Sequence, residues 1–239
     1  MEPRVRHIDT IAVDGPAGSG KSTLGKRLAT RLGFLFFDTG VLYRAVACVS
    51  LKRGIDVNDE ASVCALAKDL RIDLPPPSAA DGRDNDLLAD GQDITWAIRS
   101  PEVDASVSVV AAYPGVRSVL IDQQRRIGLS GEVVMVGRDI GTVVLPEADL
   151  KIYLDASAEE RARRRFDERT ARGESPQYEQ ILASILERDR IDSSRTVAPL
   201  RPADDAVVLD TDSMSIEEVL EVVLGLVEQY RAGSDRKAA

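Results

Sequence analysis

Gly15-Pro16-Ala17-Gly18-Ser19-Gly20-Lys21-Ser22 fits the pattern G-x-x-x-x-G-K-[ST] of a phosphate-binding loop. Its flanks supply the context that such a loop requires. Before it, Ile8 to Val13 is a short apolar segment broken only by Asp9 and Thr10, which predicts a buried strand. After it, Leu24, Leu28 and Leu32 recur every fourth residue and Gly33 follows, the pattern of an amphipathic helix with its stop signal. A strand, a glycine-rich turn and a helix N-terminus together form an anion site, because unpaired backbone N–H groups and the helix dipole converge there. Gly15, Pro16, Ala17, Gly18, Ser19, Gly20, Lys21, Ser22 and the adjoining Thr23 are the expected triphosphate-binding residues. Lys21 is expected to reach the β- and γ-phosphates, and the Ser22 hydroxyl to bind Mg²⁺.

Working outward, Phe34 to Phe37 reads as a second strand ending in Asp38-Thr39-Gly40, followed by helices over Val41–Arg53 and Asp59–Leu70. The composition then changes. Pro75-Pro76-Pro77 and the polar run to Asp86 exclude regular structure, and Leu87 to Thr95 predicts a hairpin turning at Asp90-Gly91. Pro101 opens a helix that breaks near Pro114 and resumes over 116–129. Glu132 to Val136 has the apolar continuity of a central parallel strand and ends in Gly137-Arg138-Asp139-Ile140-Gly141-Thr142. A strand over Leu150–Leu154 leads to Ser157-x-x-Glu160, a capping box, and an arginine-rich helix ending at Gly173. A helix after Ser175-Pro176, a strand over Ala206–Leu209 and a helix capped by Ser215-x-x-Glu218 complete the pattern, with a polar, disordered tail over 232–239. Strands alternating with helices predict an α/β fold: a central parallel sheet, helices on both faces and a small β insertion. The phosphate loop, Asp38-Thr39-Gly40 and Gly137-Arg138-Asp139 all follow strands, so they are expected at one edge of the sheet, where such folds bind ligands.

Composition narrows the chemistry. The chain has 239 residues and a net charge of −9, which argues against nucleic acid and acidic membranes as partners. Cys48 and Cys64 are too few for a zinc site and read as buried thiols. No apolar run is long enough to span a membrane and the N-terminus lacks an apolar signal segment, so a cytoplasmic protein is expected. His7 is the only histidine, which leaves little room for a His triad, a His general base or a His-based metal site. Arginine outnumbers lysine 25 to 6. Two arginine stripes stand out: Arg188, Asp192 and Arg195 at i, i+4, i+7, and Arg161, Arg164 and Arg165 at i, i+3, i+4. Like charges at the second spacing repel unless an anion sits among them. A phosphate loop alone leaves open a small kinase for AMP, UMP or shikimate, or a nucleotide-sensing module.

The combination is more specific. Gly15 to Thr23, Asp38-Thr39-Gly40-x-x-Tyr43-Arg44, Gly137 to Thr142, and Arg188-Asp189-x-x-Asp192-x-x-Arg195-x-x-Ala198-Pro199-Leu200 resemble the bacterial cytidylate kinase family, over residues 8 to 230. Thr39 stands where that family often has serine, and Ala17 where some members have serine. The resemblance implies a P-loop three-layer fold in one kinase domain. Its parts would be a core (about 5–40, 131–160 and 178–231), a nucleoside-monophosphate-binding part with the β insertion (about 41–130) and a short helical lid (about 161–177). It implies phosphoryl transfer from ATP, with Mg²⁺, to CMP or dCMP by a monomer. Asp38, Thr39, Tyr43 and Arg44 would bind the acceptor, and Ser108, Arg117 and Asp139 would face its cytosine. Arg138 and Arg195 would hold its phosphate, Arg188 and Asp192 its ribose. Lys21, Arg161, Arg164, Arg165 and Arg195 would carry the charge used in catalysis.

Overall fold

The computed structural model describes residues 6–233; the expected tail lies outside the described residues from 234 onward. Contacts divide the chain into two units, one of residues 1–38, 125–194 and 198–239, the other of 39–124 and 195–197. The segment 161–177 belongs to the first unit by its contacts.

The first unit is built on a five-stranded parallel sheet. Its strands are β1 (Thr10–Asp14), β2 (Leu35–Asp38), β6 (Val133–Val136), β7 (Leu150–Asp155) and β8 (Val207–Asp210), in the order β2-β6-β1-β7-β8. β1 lies between β6 and β7, with Val13 opposite Val136 and Ile152. Because successive side chains alternate across a strand, Ile11, Val13, Val134, Val136, Ile152 and Leu154 line one face. There they pack on Leu24 and Leu28 of α1 (Lys21–Leu32) and on Val219, Val223 and Val227 of α8 (Ile216–Arg231). Every strand residue in that list is essentially fully buried. The closest approach is at Gly25 of α1, where a Cβ would lie 2.5 Å from Val136 Cγ1. α6 (Ala158–Ala171) and α7 (Tyr178–Ser194) share a smaller core of Ala162, Ile181 and Ile185, with Phe166 meeting Tyr178 edge-on.

The second unit holds α2 (Gly40–Lys52), α3 (Glu60–Asp69), α4 (Pro101–Ala112) and the start of α5 (Pro114–Gly128), which runs on into the first unit. It also holds a three-stranded antiparallel sheet of β3 (Ile72–Asp73), β4 (Leu88–Ala89) and β5 (Gln92–Asp93). The hairpin turns at Asp90-Gly91, both at positive φ, as the sequence predicts. α5 begins at Pro114 itself rather than two residues later. Tyr113 before it is extended and the proline occupies the first helical position. Cys48 is buried, but Cys64 is only partly so and lies against Gly115, where a Cβ would meet its sulfur at 2.6 Å. Among the described residues no helix is long and apolar enough to cross a membrane.

Candidate active site

The sheet order makes β2, β6 and β1 neighbours, so their C-terminal ends bring together Asp38, the Gly137–Thr142 segment and the phosphate loop. Gly15 at φ +146° passes so close to β7 that a Cβ would lie 2.2 Å from the Leu154 carbonyl oxygen. Only glycine fits there. The loop then enters α1 with no side-chain cap at Gly20 and no acidic residue in the first turn. α6 and α8 differ: Ser157 and Ser215 cap them, and each carries two glutamates in its first turn. The N-terminal N–H groups of α1 are thus left to a ligand, and the dipole there selects an anion.

Lys21 is buried and folds back over the loop, its Nζ donating to the Pro16 carbonyl at 2.5 Å and to Ser19 Oγ at 3.3 Å. Burial pushes its pKa well below the ordinary lysine value, and the Arg138 charge adds to that shift. An anion that arrives at the loop would relieve both effects. The Ser22 hydroxyl donates to Asp38 Oδ2 at 2.7 Å, which joins the predicted metal-binding hydroxyl to a carboxylate from β2. No group of three or more His, Cys, Asp or Glu side chains with metal-binding geometry occurs among the described residues. Two oxygen donors of this kind suit Mg²⁺, which keeps waters and phosphate oxygens as its remaining ligands.

Arg138 follows β6 and donates through Nε to Asp192 Oδ2 at 3.0 Å, so two residues predicted to meet the acceptor meet each other across 54 positions of sequence. Asp139 is buried. α7 carries Arg188 and Asp192 but ends at Ser194, so Arg195 lies just past the helix rather than on its face. The chain turns there, with Ala198 at φ +52° and the Leu200 N–H reaching the Asp192 carbonyl at 2.8 Å.

The arginine stripe of α6 has its counter-charges within the chain. Arg161 is buried and paired with Asp189, and Arg164 donates to Glu160 at 2.8 Å and to the Thr211 carbonyl. The predicted capping box is therefore half made: Ser157 Oγ accepts from the Glu160 N–H, while the Glu160 carboxylate binds Arg163 and Arg164. The Ser157 N–H donates to Asp212 instead. Arg165 is partly buried on the same helix. At α8 both halves of the box are present.

In the second unit Tyr43, Arg44, Ser108 and Arg117 are held by their own surroundings. Thr39 is buried at the start of α2. Arg44 donates to the Ile98 carbonyl at 2.9 Å and to Asp104 at 2.6 Å. Arg117 is 1% exposed, with its guanidinium over the Tyr43 ring at 5.6 Å and Nη1 donating to the Ala111 carbonyl. Gln124, also buried, donates to the Tyr43 hydroxyl at 3.3 Å. Ser108 is buried on α4, not on a helix surface.

Two further carboxylates stand at this site without a role assigned from the sequence. Asp14 ends β1 and is buried, its carboxylate accepting from the Ile140 and Gly141 N–H groups at 2.8 Å each. Burial raises its pKa to about 6 despite those two bonds, and the Asp139 charge adds to the rise. The other is Asp189, which follows Arg188 on α7 and pairs with Arg161. A carboxylate closing an otherwise apolar strand was the available signal for Asp14; for Asp189 there was none.

A family model described as cytidylate kinase matches residues 11–229. The chain is 51% identical over 218 residues to a cytidylate kinase of Herpetosiphon aurantiacus, covering 91% of this chain and 93% of that one. It is 52% identical over 220 residues to a cytidylate kinase of Chloroflexus aggregans, covering 92% and 94%. Among solved structures, a shikimate kinase from Bacteroides thetaiotaomicron is similar at TM-score 0.47 and 13% identity, covering 91% of this chain and 97% of that one. That last likeness carries nothing about activity. A family match that runs from β1 to α8, on a chain that leaves its phosphate-loop helix open to an anion, makes this chain a member of the cytidylate kinase family.

Proposed function

We propose that this chain transfers the γ-phosphoryl group of ATP to CMP or dCMP, giving ADP and CDP or dCDP. The observation that carries the reading is the buried, desolvated Lys21 over an uncapped helix N-terminus, in a chain that matches the cytidylate kinase family over residues 11–229. Phosphoryl transfer needs little covalent help from a protein. A phosphate monoester has its second pKa near ~6, so the acceptor is largely dianionic at neutral pH and no general base is required. What the protein must supply is positive charge and exclusion of water. Lys21 and the α1 N–H groups serve the ATP phosphates. Ser22, beside Asp38, would hold Mg²⁺, which would supply positive charge at the phosphates. Arg164, Arg165 and Arg195 serve the transferring group, and Arg138 and Arg195 the acceptor phosphate. Arg188 and Asp192 bind the ribose.

In the same reading Asp38, Thr39, Tyr43 and Arg44 bind the acceptor, and Ser108, Arg117 and Asp139 read its base. Cytosine offers a donor at its 4-amino group and an acceptor at N3, and uracil reverses both. A carboxylate suits the amino group and a guanidinium suits N3 and O2, so uracil would leave buried groups mispaired. The enclosed Arg117 guanidinium over the Tyr43 ring supports that assignment. The three-part division into core, acceptor-binding part and lid, a monomeric state and a cytoplasmic location belong to the same proposal.

A coupled assay of ADP release with CMP, dCMP, UMP, AMP and shikimate tests the reading. Release is expected only with CMP and dCMP, with discrimination against UMP of as much as about 10⁴ in kcat/KM. Arg117→Ala is expected to collapse the CMP to UMP ratio while ADP affinity stays near the parent value. Release that ignores the acceptor would assign a nucleotide-hydrolysing module instead. An unchanged CMP to UMP ratio in Arg117→Ala would remove Arg117 from base reading.

A further inference from the structure

Arg161 is the first arginine of the α6 stripe and the one most enclosed, at 4% exposure. Its guanidinium is committed in three directions. Nε donates to the Ala156 carbonyl at 2.9 Å, one residue past the end of β7. Nη1 donates to the Ala17 carbonyl at 3.1 Å, inside the phosphate loop. Nη1 and Nη2 donate to the two carboxylate oxygens of Asp189 on α7, at 3.0 and 2.6 Å. Four bonds thus spread over all three nitrogens, and the bidentate pair is the strongest geometry available to an arginine. A second contact marks the same place. Gly18, at a position the loop pattern leaves free, sits at φ +81° with room for no more than a tight Cβ, 3.3 Å from Arg161 Cβ. Loop and helix are therefore in direct contact at Gly18 and Arg161.

A guanidinium paired face to face with a carboxylate presents little net charge to a third party. An arginine spent on stabilising a transferring phosphoryl group should keep donors directed at it. Arg161 directs them at a loop carbonyl instead. Ala17 lies three residues ahead of Gly20 and four ahead of Lys21, so fixing its carbonyl fixes the turn from which the α1 N–H groups and Lys21 emerge.

We infer that Asp189, through its bidentate pair with Arg161, is a positioning residue that holds the phosphate loop in its ligand-binding shape by the Ala17 carbonyl. The role of Arg161 is then geometric: it positions the loop rather than contacting the transferring group. The inference rests on the reading of residues 15–23 as the ATP site. Without the carboxylate the guanidinium is left buried and incompletely paired, which is costly enough to draw it away from Ala17.

The test is ADP binding with Mg²⁺, followed by calorimetry without acceptor, in the parent, Asp189→Asn, Arg161→Ala and the double variant, beside kcat with CMP. Each single variant is expected to weaken ADP binding by roughly tenfold or more. The double variant should be no weaker than the worse single one, because the two residues act as one clasp. The backbone amide resonances of Gly18, Ser19 and Gly20 should shift in Asp189→Asn, a change that a direct charge role would not cause. Asp189→Asn is isosteric, and Arg161→Lys keeps the charge but not the fork. If Arg161→Ala does not fold, these two decide, both being expected to lose ADP affinity. Asp189→Asn with parent ADP affinity, or additive losses in the double variant, would overturn the inference. A parent that binds ADP but does not use CMP sinks the proposed acceptor and leaves the clasp standing. A parent that binds no ADP sinks both.

Discussion

The five-stranded sheet and the three-stranded sheet hold their carboxylates in opposite ways. In the first, whole strands are enclosed: Val133 to Val136 are at most 1% exposed, and the carboxylate of Asp14 sits among them bonded only to backbone N–H groups. In the second, β3, β4 and β5 have two residues each, and their stability cannot come from strand burial alone. A small apolar cluster of Leu87, Ala89 and Ile94 is buried, and around it Arg83 gathers Asp81, Asp86 and Asp93 at 2.7 to 2.9 Å. Trp96 closes the group by donating to Asp81 at 2.9 Å, with Arg99 over its ring. The acids respond accordingly. Burial pushes Asp14 up to about 6. Hydrogen bonds from Arg83 hold Asp81 and Asp86 down, and bonds from Thr95, with help from Arg83, hold Asp93 at about 2. One part of this chain is organised by apolar area and tolerates a charge, while the other is organised by charge around a small apolar cluster.

The largest effect is expected from removing the cation from the second sheet. Arg83→Ala leaves three converging carboxylates, and the insertion is expected to lose order at neutral pH while the helical signal largely persists. Trp96 is the only tryptophan of the chain, so its emission reports on the insertion alone. A shift toward solvated indole, with far-ultraviolet dichroism little changed, is the expected result. An unchanged emission would show that the apolar cluster suffices. In the parent the stabilising effect of Asp93 is fully present above its unfolded value of about 4 and lost as pH falls toward 2.

Asp14 tests the other side, with the opposite sign. Its folded pKa lies above its unfolded value, so between about pH 4 and 6 the folded state binds more protons and stability falls as pH rises. The full effect is at most about 3 kcal/mol. Denaturation midpoints of the parent and of Asp14→Asn, compared at pH 4 and pH 7, isolate it. The parent should lose stability relative to the variant on going to pH 7. A relative gain would mean that the Ile140 and Gly141 N–H groups outweigh burial.

The smallest effects compare two glycines. Gly25→Ala in α1 drives a methyl into Val136 and the Phe36 ring, an overpacking cost of about 1–3 kcal/mol. Gly91 in the hairpin faces open space at φ +79°, so Gly91→Ala costs only the left-handed conformation, about 1 kcal/mol. Thermal midpoints should follow that order. The reverse order would place the tighter constraint in the hairpin.

Much of this was legible in the sequence where the physics is local. The phosphate loop, the hairpin at Asp90-Gly91, the proline at the start of α4 and the capping box at Ser215 each depend on residues within a few positions of one another. So did the alternation of strands and helices, which implied a parallel sheet and the shared edge of Asp38, Gly137 and the loop. Spacing misled where a helix stopped early. Arg195 fell one residue outside α7 because the turn to Pro199 intervenes. The α6 arginines repel at their spacing unless anions sit among them, but no local pattern names Asp189 and Glu160 as the partners that Arg161 and Arg164 meet.

By itself, then, the sequence determined the fold class, the anion-binding turn and the family, because propensity, periodicity and loop chemistry are carried by neighbouring residues. Only the tertiary structure decided which charged groups face each other. Asp14 meets Ile140 and Gly141 across 126 and 127 positions, Arg138 meets Asp192 across 54, and Arg161 meets Asp189 across 28. Such pairs follow from strand order and helix packing, which place distant segments within 3 Å, and no local pattern encodes a partner that only the packed sheet brings near.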